Sequence, residues 1–302
     1  YQSCFFPFSE KSVFRNGFYY CYVWQEKLII YNSFIYVEVF SLKFETILVD
    51  SSEGIVTISM NRPDRLNAWT RRMGSEIEEV IFLGNEDPAV DAFLVTGSGR
   101  GFCAGADVKD LFKAESEKGK AGSEDGSGDW VSLIRSSKPV IAAINGAAIG
   151  VGLTQVLPMD FIVASTEAKL SCRFIKMGLV PELASSKFLI ARCGFGAASE
   201  LMLTGKTILA DEALRVGLVD KVTTPENLLD EARTIARAMG ENPPQALRKV
   251  KQLITENMDE SDLGLVQSRE LKALSMCYQT PEHKEAIDAF LEKREPDFKR
   301  SI

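Results

Sequence analysis

The sequence predicts an α/β domain followed by a helical C-terminal arm, and three observations predict it. Short apolar runs suited to strands, at 44–49, 55–60, 91–96 and 140–144, alternate with stretches of helical periodicity. Two glycine-rich turns, at 97–107 and 145–152, each follow one of those runs. Beyond Ser185 the pattern is helical nearly to the end, interrupted at Gly194, Gly205, Gly217, Pro225, Pro243-Pro244 and Pro281. Strands alternating with helices ahead of a helical tail belong to the α/β class. At 302 residues the chain can bury one large core or two modest ones.

Residues 1–43 differ from the rest in being crowded with aromatics, among them Phe5, Phe6, Tyr19, Tyr20, Trp24 and Phe40. They carry no signal-peptide or transit pattern, and Glu26, Lys27, Asn32 and Glu38 interrupt the apolar runs too often for a membrane span. They suit either an extension packed on the domain or translated sequence foreign to the working protein. The second is favoured, and the segment is expected to be poorly ordered or loosely attached.

From residue 44 the pattern turns regular. The runs 44–49 and 55–60, joined by the turn residues 51–54, predict a β-hairpin. Residues 61–65 read as a loop, with Asn67 as the cap of a helix through Leu83. A buried strand is expected at 91–96, a helix at 130–136, and further strands at 140–144, 161–164 and 169–171. The Gly/Ser/charge-rich segment 113–129 reads as a mobile surface loop, equally suited to an inert insertion or a lid. The resulting division is 1–43 extension, 44–240 core, 241–302 helical region.

Charge and composition exclude several functions. The formal net charge of −7 speaks against nucleic acid as the main partner. The six cysteines lack CxxC spacing, which fits reduced thiols in an intracellular compartment better than a disulfide framework or zinc site. His283 is the only histidine and lies in a polar helical run, so a His-rich metal site is impossible and proton chemistry falls to carboxylates.

The segment 138–182 organises the chain. The strand 140–144 meets Asn145-Gly146, small residues follow, and a helical pattern begins with Leu153, Val156 and Leu157. The first N–H groups of such a helix lack intrahelical partners and can hold a developing negative charge. Glu182 closes the segment, so it reads as an anion hole facing a lone base. The same pattern also suits a buried strand–helix joint whose small residues serve only close packing. Neither glycine-rich turn is a phosphate-binding Walker loop or a correctly placed GxGxxG.

Taken together, NRPDRLNA (61–68), GFCAGAD (101–107), KPVIAAINGAAIGVG (138–152), LTGKTILADEALRVGLVDKV (203–222) and FLEKREPDF (290–298) resemble the crotonase, or enoyl-CoA hydratase/isomerase, superfamily over roughly residues 44–299. The resemblance implies a crotonase-like spiral of β-β-α units with two roughly perpendicular sheets. It also implies a C-terminal helical region that makes trimers, often paired into hexamers. The implied ligand is an acyl-coenzyme A thioester, with no cofactor beyond the coenzyme A of the substrate and no membrane span. A mitochondrial or peroxisomal location follows only from the resemblance, since the terminal Lys299-Arg300-Ser301-Ile302 is not a Ser-Lys-Leu type signal.

By the same resemblance, the N–H groups of Ala106 and Val151 form the oxyanion hole. The two hydratase glutamates would fall at Thr154 and Phe174, neither of which holds a proton at neutral pH. Glu182 falls where the Δ3,Δ2-enoyl-CoA isomerases keep their single glutamate. The implied activity is therefore a Δ3,Δ2-enoyl-CoA isomerase of unsaturated fatty acid β-oxidation. A non-catalytic acyl-CoA binding protein, a dienoyl-CoA isomerase and a thioester hydrolase are the alternatives. Phe174, Leu179 and Thr154 are expected in the acyl pocket, where Phe174, Leu179, Val180 and Leu183 would keep water from the base and raise its pKa. Arg65, Ala68, Ala104, Asp107, Val108 and Lys293 are expected around the nucleotide, with Lys109 and Arg294 nearby.

Overall fold

The computed structural model describes residues 21–24, 27–30, 43–108 and 129–298. The expectations for most of 1–43, for Lys109 and for all of the loop 113–129 but its last residue fall outside the described residues. The chain divides into two compact units, residues 1–37 and 38–302. In the first, β1 (Cys21–Trp24) and β2 (Lys27–Ile30) pair antiparallel.

The second unit is α/β, as expected. It opens with β3 (Ile47–Ser52) and β4 (Ile55–Met60), an antiparallel hairpin in register Ser52↔Ile55. Its turn is only two residues, Glu53 and Gly54, both at positive φ, a backbone that matches the strands' own twist. The first strand begins at Ile47 rather than 44, because the N–H groups of Glu45 and Thr46 donate to the buried Glu76 carboxylate at 2.7 and 2.9 Å.

β5 (Ala92–Gly97), β6 (Val140–Ile144), β8 (Phe161–Ser165) and β11 (Lys221–Thr223) add in parallel, giving the six-stranded order β11-β8-β6-β5-β4-β3. A three-stranded sheet holds β7 (Ala147–Ile149), β9 (Lys169–Ser171) and β10 (Thr207–Leu209) in the order β10-β9-β7. β7, β10 and β11 were not expected, whereas β9, equally short, was.

Successive residues of a strand face opposite sides, and here both sides are covered. Ile55, Ala92, Leu94, Ile141, Ala143 and Val163 pack under the helix Leu228–Gly240 through Leu228, Ala232 and Ala236. Val56, Ile58, Phe93, Val95, Ala142 and Ile144 face the other way, onto Met73, Ile77 and Ile81 of the helix α1 (Arg71–Glu86). Each such fully buried large side chain contributes roughly 1.5–3 kcal/mol.

α1 starts three residues later than expected. Its cap is Thr70, whose hydroxyl accepts from the Met73 N–H at 3.1 Å. Asn67 instead sits at φ +53 with its side chain buried in the loop. α2 (Trp130–Ser136) is capped by Asp129, and α3 is one buried turn, Val151–Thr154. The helix Ser185–Thr204 is broken at Gly194. The C-terminal helices span Pro244–Asn257, Leu263–Cys277 and Pro281–Glu292. The first is tied to the core by Lys251, whose Nζ donates to Asp160 Oδ2 at 2.7 Å and to the Ile134 carbonyl at 2.9 Å.

Candidate active site

Because β4, β5 and β6 run parallel, the loops that follow them lie along one edge of the sheet, where ligands of open α/β sheets bind. Asn67 pins two of these loops together. Its Oδ1 accepts from Arg62 N at 2.8 Å, and its Nδ2 donates to the carbonyls of Ser98 (2.9 Å) and Gly101 (2.8 Å). Arg62 adds a clamp, with Nη1 on the Ala68 carbonyl at 2.6 Å and Nη2 on Asp107 Oδ2 at 3.0 Å. The motif containing both residues drew notice in the sequence, but their hydrogen bonding had no sequence signal.

Residues 103–107 then run between two neighbours. Trp69 pairs with Ala106 and Cys103 pairs with Ala148, each as an isolated parallel bridge. In the first bridge Trp69 N donates to the Gly105 carbonyl and Asp107 N to the Trp69 carbonyl, both at 2.8 Å. That pattern uses the flanking residues and leaves the Ala106 N–H pointing away. In the second, Cys103 N donates to the Ala147 carbonyl and Ile149 N to the Cys103 carbonyl. The 103–106 segment thus lies directly on the entry to α3, so closely that a Cβ on Gly152 would stand 2.1 Å from the Cys103 carbonyl oxygen. Val151 is the first residue of α3. Neither the Ala106 nor the Val151 N–H has an acceptor among the described residues.

Glu182 meets the same turn, α3. Its Oε1 accepts a 2.9 Å hydrogen bond from Oγ1 of Thr154, a fully buried residue at the end of α3. The chain reaches Glu182 through the 3-10 turn Arg173–Met177, and Ser185 N donates to the Glu182 carbonyl at 3.0 Å. Leu183 and Ala184, immediately after it, hold φ of 55° and 53°. Left-handed backbone at non-glycine residues costs of order 1–3 kcal/mol each and concentrates at functional sites.

Phe174 is half-buried, its ring 3.9 Å from where a Gly150 Cβ would lie, so it flanks the start of α3. The apolar enclosure expected around Glu182 is incomplete in the single chain. Leu179 is 41% and Val180 80% exposed, and Glu182 itself lies on the exposed side. The reason is that residues 179–184 are an irregular surface loop rather than a packed element. An aromatic wall that the sequence reading missed stands nearby. Trp69 and Trp130 meet edge to face at 5.7 Å, and Trp130 Nε1 donates to the Gln155 carbonyl at 2.9 Å.

The thiols close to the site are not nucleophiles. Burial pushes Cys103 up to about 12, and burial followed by the Glu182 charge pushes Cys172 up to about 11. Of the residues expected around a nucleotide, Ala68, Ala104 and Asp107 lie on the paired loops, with Asp107 held by Arg62. Arg65 and Val108 are exposed at their rim. Lys293 caps the last helix at φ +56, and no described contact joins it to these loops. Arg294 is bound by Glu285 and Glu292. His283 stacks edge-on against Tyr278, on the same C-terminal arm. A separate cavity of about 850 Å³ lies at the opposite end of the parallel strands, lined by Ile55, Asp91, Lys138 and Glu282 among others.

Comparison with known proteins agrees with this architecture. Residues 50–301 match the family model described as enoyl-CoA hydratase/isomerase. Crotonyl-CoA hydratase of Syntrophomonas wolfei is 34% identical, covering 85% of this chain and 99% of that protein. The 1,2-epoxyphenylacetyl-CoA isomerase of Escherichia coli is 33% identical, covering 84% and 98%. Among solved structures, an enoyl-CoA hydratase from Polaromonas matches with a TM-score of 0.77 at 30% identity, covering 83% of this chain and 98% of that one.

Proposed function

The chain belongs to the enoyl-CoA hydratase/isomerase family, and on that premise we propose that it is a Δ3,Δ2-enoyl-CoA isomerase. The observation that carries this reading is the single carboxylate, Glu182, held at 2.9 Å by Thr154 on the same helical turn that begins with Val151. The substrate is a 3-enoyl thioester of coenzyme A. Its carbonyl oxygen sits between the N–H groups of Ala106 and Val151. Glu182 removes a proton from C2, the electron pair delocalises into a dienolate, and the two amides carry the oxygen's negative charge. The carboxylic acid so formed returns the proton at C4, leaving the conjugated 2-trans-enoyl thioester. Nothing is gained or lost overall, and no water or cofactor enters. Each such aimed donor is worth about 10²–10³ in rate.

Several relatives bear hydratase names, which makes hydration of a 2-enoyl thioester the second reading. Water addition by the two-carboxylate route requires acidic groups where this chain has Thr154 and Phe174, so it is disfavoured. The β-oxidation of unsaturated chains supplies 3-enoyl thioesters and is the context that fits this chemistry. The exposed apolar residues Phe195, Leu203, Leu263, Phe290 and Leu291 support a homotrimer, or a pair of trimers, that would also cover the loop of Glu182.

The decisive test incubates the protein with 3-hexenoyl-CoA and follows the conjugated 2-enoyl thioester, with hydration of crotonyl-CoA run in parallel. Isomerisation is expected, and Glu182→Gln abolishes it while the affinity for a saturated acyl-CoA stays within about threefold, because uniform ligand contacts are untouched. Hydration without isomerisation would overturn the reading. An E182Q enzyme turning over at the wild-type rate would remove Glu182 as the base.

A further inference from the structure

Resting on the isomerase reading above, we infer that Thr154 is a positioning residue that sets the base against the oxyanion donors. Glu182 stands in an irregular exposed loop, between Val180 at 80% exposure and the left-handed pair Leu183-Ala184. A base placed only by such a loop would wander by more than proton transfer tolerates. Thr154 supplies a fixed reference. It is fully buried, its N–H donates to the Gly150 carbonyl at 2.9 Å, and its hydroxyl reaches Glu182 Oε1 at 2.9 Å.

Val151 lies three residues earlier on the same turn, about 4.5 Å along the helix axis. One rigid piece of backbone therefore carries both the Val151 N–H and the hydroxyl that orients the carboxylate. The same turn is locked to the Ala106 loop through the Cys103 carbonyl, which accepts from Ile149 N at 2.9 Å. The base is thus registered to both donors through α3 rather than through its own loop.

The hydroxyl also bears on the proton. While Glu182 is ionised, the Thr154 O–H donates to Oε1 and favours the charged form. Thr154 neither gains nor loses a proton in either transfer.

The test compares Thr154→Val, which keeps the shape and removes the donor, with Thr154→Ser, which keeps the donor. T154V is expected to lower kcat on 3-hexenoyl-CoA about 10- to 100-fold, the effect of small misplacement of a reacting group, with KM little changed. The acidic limb of its kcat/KM profile moves up by about half to one pH unit. T154S restores both. A T154V enzyme with wild-type kcat and profile overturns the inference. So does a T154V enzyme whose acyl-CoA affinity falls in proportion to its rate, which would make Thr154 a pocket wall. A wild-type protein inactive on 3-hexenoyl-CoA would sink the isomerase reading separately. The inference is then judged by carbon-13 titration of the Glu182 carboxyl, assigned through E182Q. An upward move in T154V reversed in T154S supports it, and an unmoved titration overturns it.

Discussion

A methyl group added at Gly152 would strike the contact on which the proposed oxyanion hole depends. The new Cβ would lie 2.1 Å from the Cys103 carbonyl oxygen, 2.9 Å from Cys103 C and 3.0 Å from its Cβ. Ordinary contact begins near 3.4 Å, so the two backbones would have to part by about 1.3 Å. No side chain can rotate away, because the nearest partner is a carbonyl whose oxygen already accepts from Ile149 N. The backbones that separate are those carrying Ala106 and Val151. Overpacking of this kind costs about 1–3 kcal/mol in stability. Misplacing a reacting group by about 1 Å costs on the order of 10² in rate. Gly152→Ala is therefore expected to lose about 100-fold in kcat on 3-hexenoyl-CoA while remaining folded. Urea unfolding and steady-state kinetics measure the two effects. Gly196→Ala is the control, since nothing lies within 4 Å of its added Cβ. In a helix interior it should stabilise by about 0.5–1 kcal/mol and leave kcat alone. A G152A enzyme with full activity would refute the claim that the 103–106 segment and α3 act as one aligned unit.

Two further outcomes follow from buried groups. Asn67→Ala removes three hydrogen bonds and strands buried partners, so a loss of about 3 kcal/mol is expected in urea unfolding, since each net bond contributes roughly 1 kcal/mol; a loss under 1 kcal/mol would mean that water replaces the pin. The raised thiols of Cys103 and Cys172 give a pH dependence. Above pH 9 the unfolded thiols ionise while the folded ones stay protonated, so their contribution is full below 9 and falls as pH rises through 11 to 12. Comparing the wild type with Cys172→Ala between pH 8 and 10.5 should show a steeper decline in the wild type, and equal slopes would contradict the burial argument.

Much of this was legible in the chain. The runs at 55–60, 91–96 and 140–144 are strands because their residues are apolar on both faces, a property that composition shows directly. The two glycine-rich turns and Glu182 were visible by position, but small residues there suit a close-packed strand–helix joint equally well, so the roles proposed for them rest on the family resemblance. Asn67 shows the limit. Its residue type suits a helix cap, and nothing local says that the carbonyls of Ser98 and Gly101 arrive beside it and take the side chain. β7, β10 and β11 were also missed, although the equally short β9 was read from the sequence; each of them is held by a neighbouring strand distant in the chain.

What the sequence determined by itself was the α/β class and the inventory of groups able to act, because periodicity, glycine placement and the scarcity of histidine are properties of neighbours along the chain. Only the tertiary structure decided that Thr154 reaches Glu182 across 28 positions, that the 103–106 segment rests on α3, and that Glu182 lies on an exposed loop. Hydrogen bonds and close backbone contacts of that kind depend on distances in space, and those are fixed only when the sheets have assembled.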